Sequence, residues 1–314
     1  MNSNMAYVFP GQGSQYAGMG KDLFDNFEVS REVFLEADHA LGFPLTAMCF
    51  EGDEGDLQLT ENTQPAILTV SVAALRAMAA VGISVPRRTA GHSLGEYSAL
   101  VASGAISLAD AVRTVRSRGR YMQEATPVGT GAMAAILGSD LSTVERACNE
   151  AAEGEVCSPA NINSPGQIVI AGNSDAVDRA LVIAKELGAK RAIKLNVSAP
   201  FHCALMLPAQ KRLEADLNRL EFSDLLIPIV TNVDAGEVIL GSEARDALVR
   251  QVSSPVRWLE SVEKLISSGV DTFIEVGPGK VLSGLIRQIN RGVRCLNVED
   301  SATLKLALEF SEQA

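Results

Sequence analysis

The chain has 314 residues, 47% hydrophobic and 21% charged, a globular composition that suits one large domain or a large domain with an insertion. Its net charge of −11 argues against nucleic acid as the main partner. No membrane span is expected, because the most apolar segment, 66–81, contains Arg76 and is typical of a buried helix.

The N-terminal residues lack a basic region followed by an apolar core, so no secretory signal is expected. The five cysteines are odd in number, scattered, and never spaced as C-x-x-C. This usage fits a reduced cytoplasm and gives no zinc site, so we expect a cytoplasmic protein without a bound metal.

In chain order, a short buried strand is predicted at 6–9, followed by a loop with two glycines at 10–15. Such a loop often brings backbone amides to a ligand, although an ordinary strand-to-helix turn explains the pattern equally well. Helical periodicity follows at 20–41 and at 64–81.

The segment 91–95 reads Gly-His-Ser-Leu-Gly, a match to G-x-S-x-G. The residues before it can form a strand and 96–103 can form a helix, which predicts a nucleophile elbow with Ser93 at its tip. The Leu94 amide and the new helix N-terminus would favour developing negative charge. A chance match in a Gly- and Ser-bearing loop is the alternative, and the flanking strand and helix favour the elbow.

A capping-box signature at 107–110 predicts a helix that continues to Glu124. Most of its arginines are expected on a solvated face, so at most one should point into a site. They are Arg113, Arg116, Arg118 and Arg120.

The pattern then changes to strand, helix, two strands, helix and strand, the βαββαβ order of a ferredoxin-like unit. These elements are predicted at 131–137, 141–152, 156–162, 167–171, 174–187 and 190–195. The unit is interpreted as an insertion, because helices and strands alternate again after it. The elements after the inserted unit are predicted to be helices at 204–220, 242–252 and 256–268, a strand at 272–276, a helix ending at 289 and a strand at 294–298. This division gives a discontinuous core, 1–127 and 199–314, with a subdomain at 128–198.

A serine nucleophile needs a base, and the chain offers three histidines. His92 adjoins Ser93, so in an extended approach its side chain should leave on the opposite face. His39 lies in a predicted amphipathic helix, with no turn to aim it. His202 lies in a Pro-containing loop between the inserted unit and a helix, where catalytic groups often occur. His202 is therefore favoured by elimination; a capping or buried histidine is the alternative. No single acid stands out as its partner.

Eight segments in order, covering nearly the whole chain, resemble the malonyl-CoA:acyl-carrier-protein transacylases of fatty-acid synthesis. They are FPGQGSQ at 9–15, TENTQPA at 60–66, GHSLGEYS at 91–98, RGRYMQ at 118–123, NINSPGQ at 161–167, PFH at 200–202, QVSSPVR at 251–257 and EVGPG at 275–279.

The resemblance implies an α/β-hydrolase-like core interrupted by the ferredoxin-like unit, with the site in a gorge between them. It implies that Ser93 is acylated by malonyl-CoA and deacylated by the phosphopantetheine thiol of acyl carrier protein, in a ping-pong scheme. His202 would act as base and then acid, and the backbone carbonyl of Gln251 would orient its imidazole.

The resemblance further implies an oxyanion hole from the backbone amides of Gln12 and Leu94, and an ion pair between Arg118 and the malonyl carboxylate. It implies an acyl pocket that includes Phe201, Met122 and His92. No metal or cofactor is expected, since coenzyme A enters as substrate and phosphopantetheine comes with the partner. A monomer is the working expectation, because the sequence does not report an oligomeric state.

Three alternatives stay open at this point. In a serine hydrolase or thioesterase, water would attack the acyl-serine; Arg118 argues against a simple esterase, which has no carboxylate to hold. A discrete acyltransferase of a polyketide assembly line would use the same chemistry with another carrier. A non-catalytic scaffold that binds carrier protein is disfavoured while Ser93, His202 and Arg118 are all present.

Overall fold

The computed structural model describes residues 4–127, 129–197 and 199–313. Within these ranges the chain forms two sheets. The strands are β1 Met5–Phe9, β2 Arg88–Gly91, β3 Gly131–Leu137, β4 Cys157–Ser164, β5 Gln167–Asn173, β6 Arg191–Lys194, β7 Ile229–Val230, β8 Glu237–Val238, β9 Thr272–Val276 and β10 Arg294–Val298.

Helices cover both faces of the larger sheet and one face of the smaller. They are α1 Lys21–Asn26, α2 Glu28–Leu41, α3 Leu45–Glu51, α4 Glu54–Gln58, α5 Thr60–Ala80, α6 Gly95–Ala102, α7 Leu108–Glu124, α8 Leu141–Ala152, α9 Ser174–Glu186, α10 Leu207–Leu217, α11 Gly241–Gln251, α12 Trp258–Ser267, α13 Val281–Ile289 and α14 Ser301–Gln313. A short 3-10 turn, Ala204–Met206, precedes α10.

The larger sheet has six strands in the order β10-β9-β1-β2-β7-β8. Strand β1 is central and pairs in parallel with β2 and β9, and every one of its five residues is buried, as expected for a strand covered on both faces. The carboxyl end of β1 therefore lies beside the carboxyl end of β2, where the elbow begins. This is the edge at which open parallel sheets bind ligands.

The smaller sheet has four antiparallel strands in the order β4-β5-β3-β6. Helices α8 and α9 pack on it around an apolar cluster of its own. The βαββαβ order predicted from the sequence is confirmed, and β3 has the predicted bounds. Strand β4 also contacts the core: the Val256 amide donates to Ala160 O (2.8 Å) and the Ile162 amide donates to Val256 O (2.9 Å).

Several predicted bounds are wrong. The helix predicted at 20–41 is two helices, because Phe27 adopts an extended conformation (φ −127°, ψ 118°) and packs on the core. Helix α5 begins at Thr60, and Pro65 lies inside it. The sequence did not predict α3, α4, β7, β8 or α14; a strand of two residues is too short to show periodicity.

No helix in the described ranges is long and apolar enough to cross a membrane. Residues 128 and 198, the predicted bounds of the subdomain, lie outside the described residues.

Candidate active site

The elbow forms at the junction of β2 and α6, and Ser93 has a left-handed backbone (φ 52°). A Cβ at Gly91 would lie 1.9 Å from the Gly95 carbonyl carbon, and a Cβ at Gly95 would lie 2.1 Å from Phe9 O. Only glycine fits at either position, so the two glycines allow the tight turn that holds the serine above the sheet.

Ser93 Oγ lies 2.8 Å from His202 Nε2, and His202 Nδ1 lies 2.9 Å from Gln251 O. Because a carbonyl oxygen only accepts, the Nδ1 atom carries the proton and Nε2 is free to accept one from Ser93. His202 is 3% exposed and, like Ser93, has a positive φ (59°). Two residues in this sparsely populated region meet at one point, which is common at active sites.

Burial first, and then the positive charge of Arg118, lower the pKa of His202 to about 3. The imidazole is therefore neutral at neutral pH. A neutral imidazole is the form that can accept the serine proton.

Arg118 is the one arginine of α7 that is buried, with 1% exposure, whereas Arg113 and Arg120 are exposed. Its Nη1 donates to Gln64 Oε1 (2.7 Å), and its Nη2 donates to Gln251 Oε1 (2.9 Å) and Ser93 Oγ (3.0 Å). Its Nε has no acceptor among the described residues. A buried guanidinium with an unsatisfied N–H can still bind a carboxylate.

A set of buried polar side chains, to which no sequence pattern assigns a role, supports the elbow from below. Asn232 Oδ1 accepts from the Ser93 amide (2.7 Å), and Asn232 Nδ2 donates to Gly91 O (2.6 Å). Gln251 Nε2 donates to Ser93 O (3.0 Å) and to Glu96 Oε2 (2.9 Å). Asn232 lies in a loop after β7 without a local signal; Gln64 lies in the TENTQPA segment, where it could have been considered.

His92 borders the same gorge, so the expectation that its side chain leaves on the opposite face is wrong. The left-handed Ser93 interrupts the strand, and the alternation of an extended chain does not continue through it. The His92 Nε2 lies 2.8 Å from Asn163 Oδ1, and its ring lies 5.6 Å from the Trp258 ring. His39 is exposed on α2.

The Gln12 and Leu94 residues, predicted to supply the oxyanion hole, lie at the two loops that adjoin Ser93. Gln12 follows β1, and Leu94 is the N-cap of α6. In the described parts of the chain, neither backbone amide donates a hydrogen bond. Both are therefore available to an incoming oxygen.

One cavity of about 230 Å³ is lined by Gln12, His92, Ser93, Arg118 and His202 together. Its walls come from the loops after β1, β2 and β6, from the smaller sheet, and from α5, α7 and α13, and they are mainly apolar. They include Gly11, Gln12, Ser14, Gln64, His92, Ser93, Arg118, Met122, Met133, Asn161, Asn163, Gln167, Val169, Leu195, Val197, Phe201, His202, Val281, Leu282 and Leu285. The predicted pocket residues Met122 and Phe201 are both among them.

Within the ranges that the structure describes, no group of three or more His, Cys, Asp or Glu side chains is arranged to hold a metal ion. All five cysteines are buried free thiols.

The acyl transferase domain model matches residues 6–306 of the chain. A malonyl CoA-acyl carrier protein transacylase of Bacillus subtilis (strain 168) is 49% identical over 308 residues, which cover 98% of this chain and 97% of the relative. The crystal structure of an acyl carrier protein S-malonyltransferase from Vibrio cholerae is 49% identical with a TM-score of 0.95, over 97% of this chain and 99% of that one.

A solved malonyl-transacylase in complex with its type II polyketide synthase acyl-carrier protein is 48% identical, with a TM-score of 0.96. The match covers 98% of this chain and 100% of that one. The chain therefore belongs to the acyl transferase family and, within it, to the malonyl-CoA–acyl carrier protein transacylases.

Proposed function

We propose that the protein transfers a malonyl group from malonyl-CoA to the phosphopantetheine thiol of acyl carrier protein, for fatty-acid synthesis, through a malonyl-serine intermediate. The observation that carries the proposal is the joint position of Ser93, His202 and Arg118 in one cavity. A nucleophile with its base and a buried cation suits an acyl group that ends in a carboxylate.

In the first half-reaction, neutral His202 takes the Ser93 proton through Nε2 as Oγ attacks the thioester carbonyl. The Gln251 carbonyl holds the opposite ring nitrogen, so it fixes the tautomer and stabilises the imidazolium that forms. The amides of Gln12 and Leu94 donate to the developing oxyanion. His202 then returns the proton to the departing coenzyme A sulfur, which leaves malonyl-Ser93.

In the second half-reaction, the carrier-protein thiol enters the emptied gorge. His202 takes the thiol proton, the thiolate attacks the acyl-serine, and the same two amides stabilise the tetrahedral oxyanion. Collapse returns the proton to Ser93 Oγ and releases the malonyl thioester. The mainly apolar lining around His202 disfavours water as the competing nucleophile.

Arg118 supplies the selectivity in this proposal. The malonyl carboxylate would accept from the unpaired Nε–H and from Nη2, which now donates to Ser93 Oγ and Gln251. Pairing this carboxylate with Arg118 would release the serine hydroxyl from the guanidinium. An acetyl group offers no such partner.

Intact-protein mass spectrometry tests the function directly. Malonyl-CoA should add one malonyl group to the protein, and holo-acyl carrier protein should remove it. Ser93→Ala should stay folded and gain no mass. A normal adduct on Ser93→Ala would exclude Ser93 as nucleophile. If water removed the malonyl group from the wild-type protein as fast as carrier protein does, the hydrolase hypothesis would be favoured.

A polyketide carrier is the second candidate partner, because one relative at 48% identity was solved with its polyketide synthase acyl-carrier protein. The chemistry at Ser93 would be the same. The two candidate partners are distinguished by letting a fatty-acid carrier protein and a type II polyketide carrier protein compete for the malonyl-enzyme. The preferred carrier is the one with the higher kcat/KM.

Three further expectations belong to the same proposal. The discontinuous core of 1–127 and 199–314 and the subdomain of 128–198 are supported by the two separate sheets. We also propose that the reaction needs no metal ion or cofactor, since the mechanism above uses only side chains and backbone amides of this chain. A cytoplasmic monomer is proposed, and five free thiols support the reduced compartment.

A further inference from the structure

One carboxylate near the gorge takes no part in the mechanism above. Glu96, in the first turn of α6, is 1% exposed and borders no part of the cavity. Among the described residues it forms no ion pair. A buried carboxylate is costly unless its oxygens accept hydrogen bonds, so the groups that it holds identify its use.

Glu96 Oε2 accepts from two groups, the Asn232 backbone amide (3.0 Å) and Gln251 Nε2 (2.9 Å). Gln251 is the more informative partner, because its side chain contacts Arg118 while its backbone carbonyl contacts His202. The Glu96 carboxylate thus lies one side chain away from the guanidinium.

The Gln251 amide could in principle turn over and exchange Oε1 with Nε2, since the two orientations have nearly the same shape. Two acceptors, Glu96 Oε2 and Ser93 O, face its Nε2, and one donor, Arg118 Nη2, faces its Oε1. Without Glu96 one of the two acceptors is lost. A turned amide would direct its NH₂ group at the guanidinium, and Arg118 would have to move.

We propose that Glu96 is a positioning residue, which fixes the orientation of the Gln251 amide and thereby aims Arg118 at the carboxylate of the acyl group. The inference rests on the proposed function, because it assigns to Glu96 a part of the malonyl preference. Selectivity would then depend on a carboxylate that the substrate never touches. Acylation by acetyl-CoA needs Ser93 and His202 but not Arg118, so its rate would depend little on Glu96.

Three variants test the chain of contacts. Glu96→Ala removes the acceptor, and Glu96→Gln keeps an acceptor oxygen while it removes the charge. Gln251→Ala removes the amide but keeps the backbone carbonyl that holds His202. Glu275→Gln is a matched control, because Glu275 is also buried and accepts from two backbone amides, those of Leu282 and Ser283, without touching Gln251 or Arg118.

The readout is the ratio of acyl-enzyme formation rates from malonyl-CoA and acetyl-CoA in single turnover, with Tm measured in parallel. Glu96→Ala should lower the ratio at least about tenfold, the cost of leaving a buried donor without its acceptor, with a smaller loss for acetyl. Glu96→Gln should stay within about threefold of wild type, since it can still accept both hydrogen bonds. Glu275→Gln should lower Tm and leave the ratio unchanged.

Gln251→Ala should match Glu96→Ala, and the double variant should lose no more than Gln251→Ala alone, because the two residues act through one contact. Equal losses for malonyl and acetyl in Glu96→Ala, or additive losses in the double variant, would overturn the inference. If Glu96→Ala does not fold, Glu96→Leu, which fills a similar space but offers no acceptor oxygen, takes its place, and equal losses for malonyl and acetyl in that variant would overturn the inference. A wild-type protein without a malonyl adduct would instead refute the proposed function, and this inference with it.

Discussion

The six-stranded core and the four-stranded unit meet at one cavity but contribute different things to it. The core supplies the reacting groups and a buried polar network, in which Ser93, Arg118 and Gln251 are joined by hydrogen bonds of 2.9 to 3.0 Å. The smaller unit supplies apolar walls, among them Met133, Val169 and Leu195, and neutral amide side chains such as Asn163. The core thus holds every reacting group in place, and the smaller unit encloses them.

The largest effect should come from the core, at Arg118. A guanidinium can bind the substrate carboxylate through two parallel N–H···O bonds, and removing one partner of a desolvated pair costs about 2–5 kcal/mol, roughly thirtyfold to several thousandfold. Arg118→Ala should reduce malonyl transfer by that factor and spare or raise acetyl transfer. The malonyl-to-acetyl ratio of acyl-enzyme formation measures it.

Arg118→Lys should restore little, because an ammonium is a point charge rather than a fork. Arg113→Ala, an exposed position on the same helix, is the control and should keep the wild-type ratio. Equal losses for both acyl groups in Arg118→Ala would mean that the carboxylate is recognised elsewhere.

The second prediction concerns the pH dependence of the base in the core. Because burial and Arg118 lower the pKa of His202, the imidazole stays neutral in mild acid and the acid limb of kcat/KM should lie well below pH 6.5. At pH 5.5 a histidine with the ordinary pKa near 6.5 would retain only about a tenth of its base form. At pH 5.5 the wild-type kcat/KM should therefore be about tenfold higher than a base with a pKa near 6.5 would allow.

Arg118→Ala removes one cause of the lowered pKa, so its acid limb for acetyl transfer should move upward towards pH 6.5. Acetyl-CoA is the appropriate substrate, since it does not need the arginine. A wild-type acid limb at pH 6.5 would show that His202 is solvated during turnover.

Phe201 precedes the base His202 and lines the cavity where the two regions meet. Its ring would fill the volume that the α-methyl of methylmalonyl needs, and one methyl group discriminates by only about 1–3 kcal/mol. Phe201→Ser should narrow the rate gap between malonyl-CoA and methylmalonyl-CoA without reversing it. Met122→Ala, at another wall of the cavity, is the comparison variant. An unchanged ratio of the malonyl-CoA and methylmalonyl-CoA rates in Phe201→Ser would mean that Phe201 has only a structural role.

The smallest effect should come from the outer surface of the inserted unit. Strand β6 is an edge strand, and Lys190, Arg191 and Lys194 are exposed on or beside it, although Lys194 pairs with Asp178. Carrier proteins are acidic and this chain is too, so docking must use local basic groups. Added salt should weaken transfer to carrier protein severalfold more than transfer to pantetheine.

Arg116 is a weak docking candidate, since it donates to Asn62 and its guanidinium carbon lies 4.2 Å from the Phe43 ring centroid. Lys190→Gln with Arg191→Gln should reduce the salt sensitivity, whereas Arg76→Gln, on α5 and outside the cavity, should not. Equal salt sensitivity for both acceptors would argue against a basic docking surface.

Local patterns were sufficient for the elements with clear periodicity. The bounds of β3, α8, β9 and β10 agree with the predictions, because each is a single apolar run or amphipathic stretch between turn residues. The break at Phe27 and the two-residue strands β7 and β8 were missed, since their conformations depend on packing against distant parts of the chain.

The elbow follows from the sequence alone, since two glycines flank a serine between a strand and a helix, and any side chain at either glycine would collide with the backbone. The sequence also reduced the choice of base to His202, because only three histidines exist. The folded chain, and no local pattern, brings Arg118 to Ser93 and places Glu96, Asn232 and Gln251 beneath the elbow. Those contacts join residues 25 to 158 positions apart, and no local pattern encodes which buried polar groups will meet when two sheets close on one cavity.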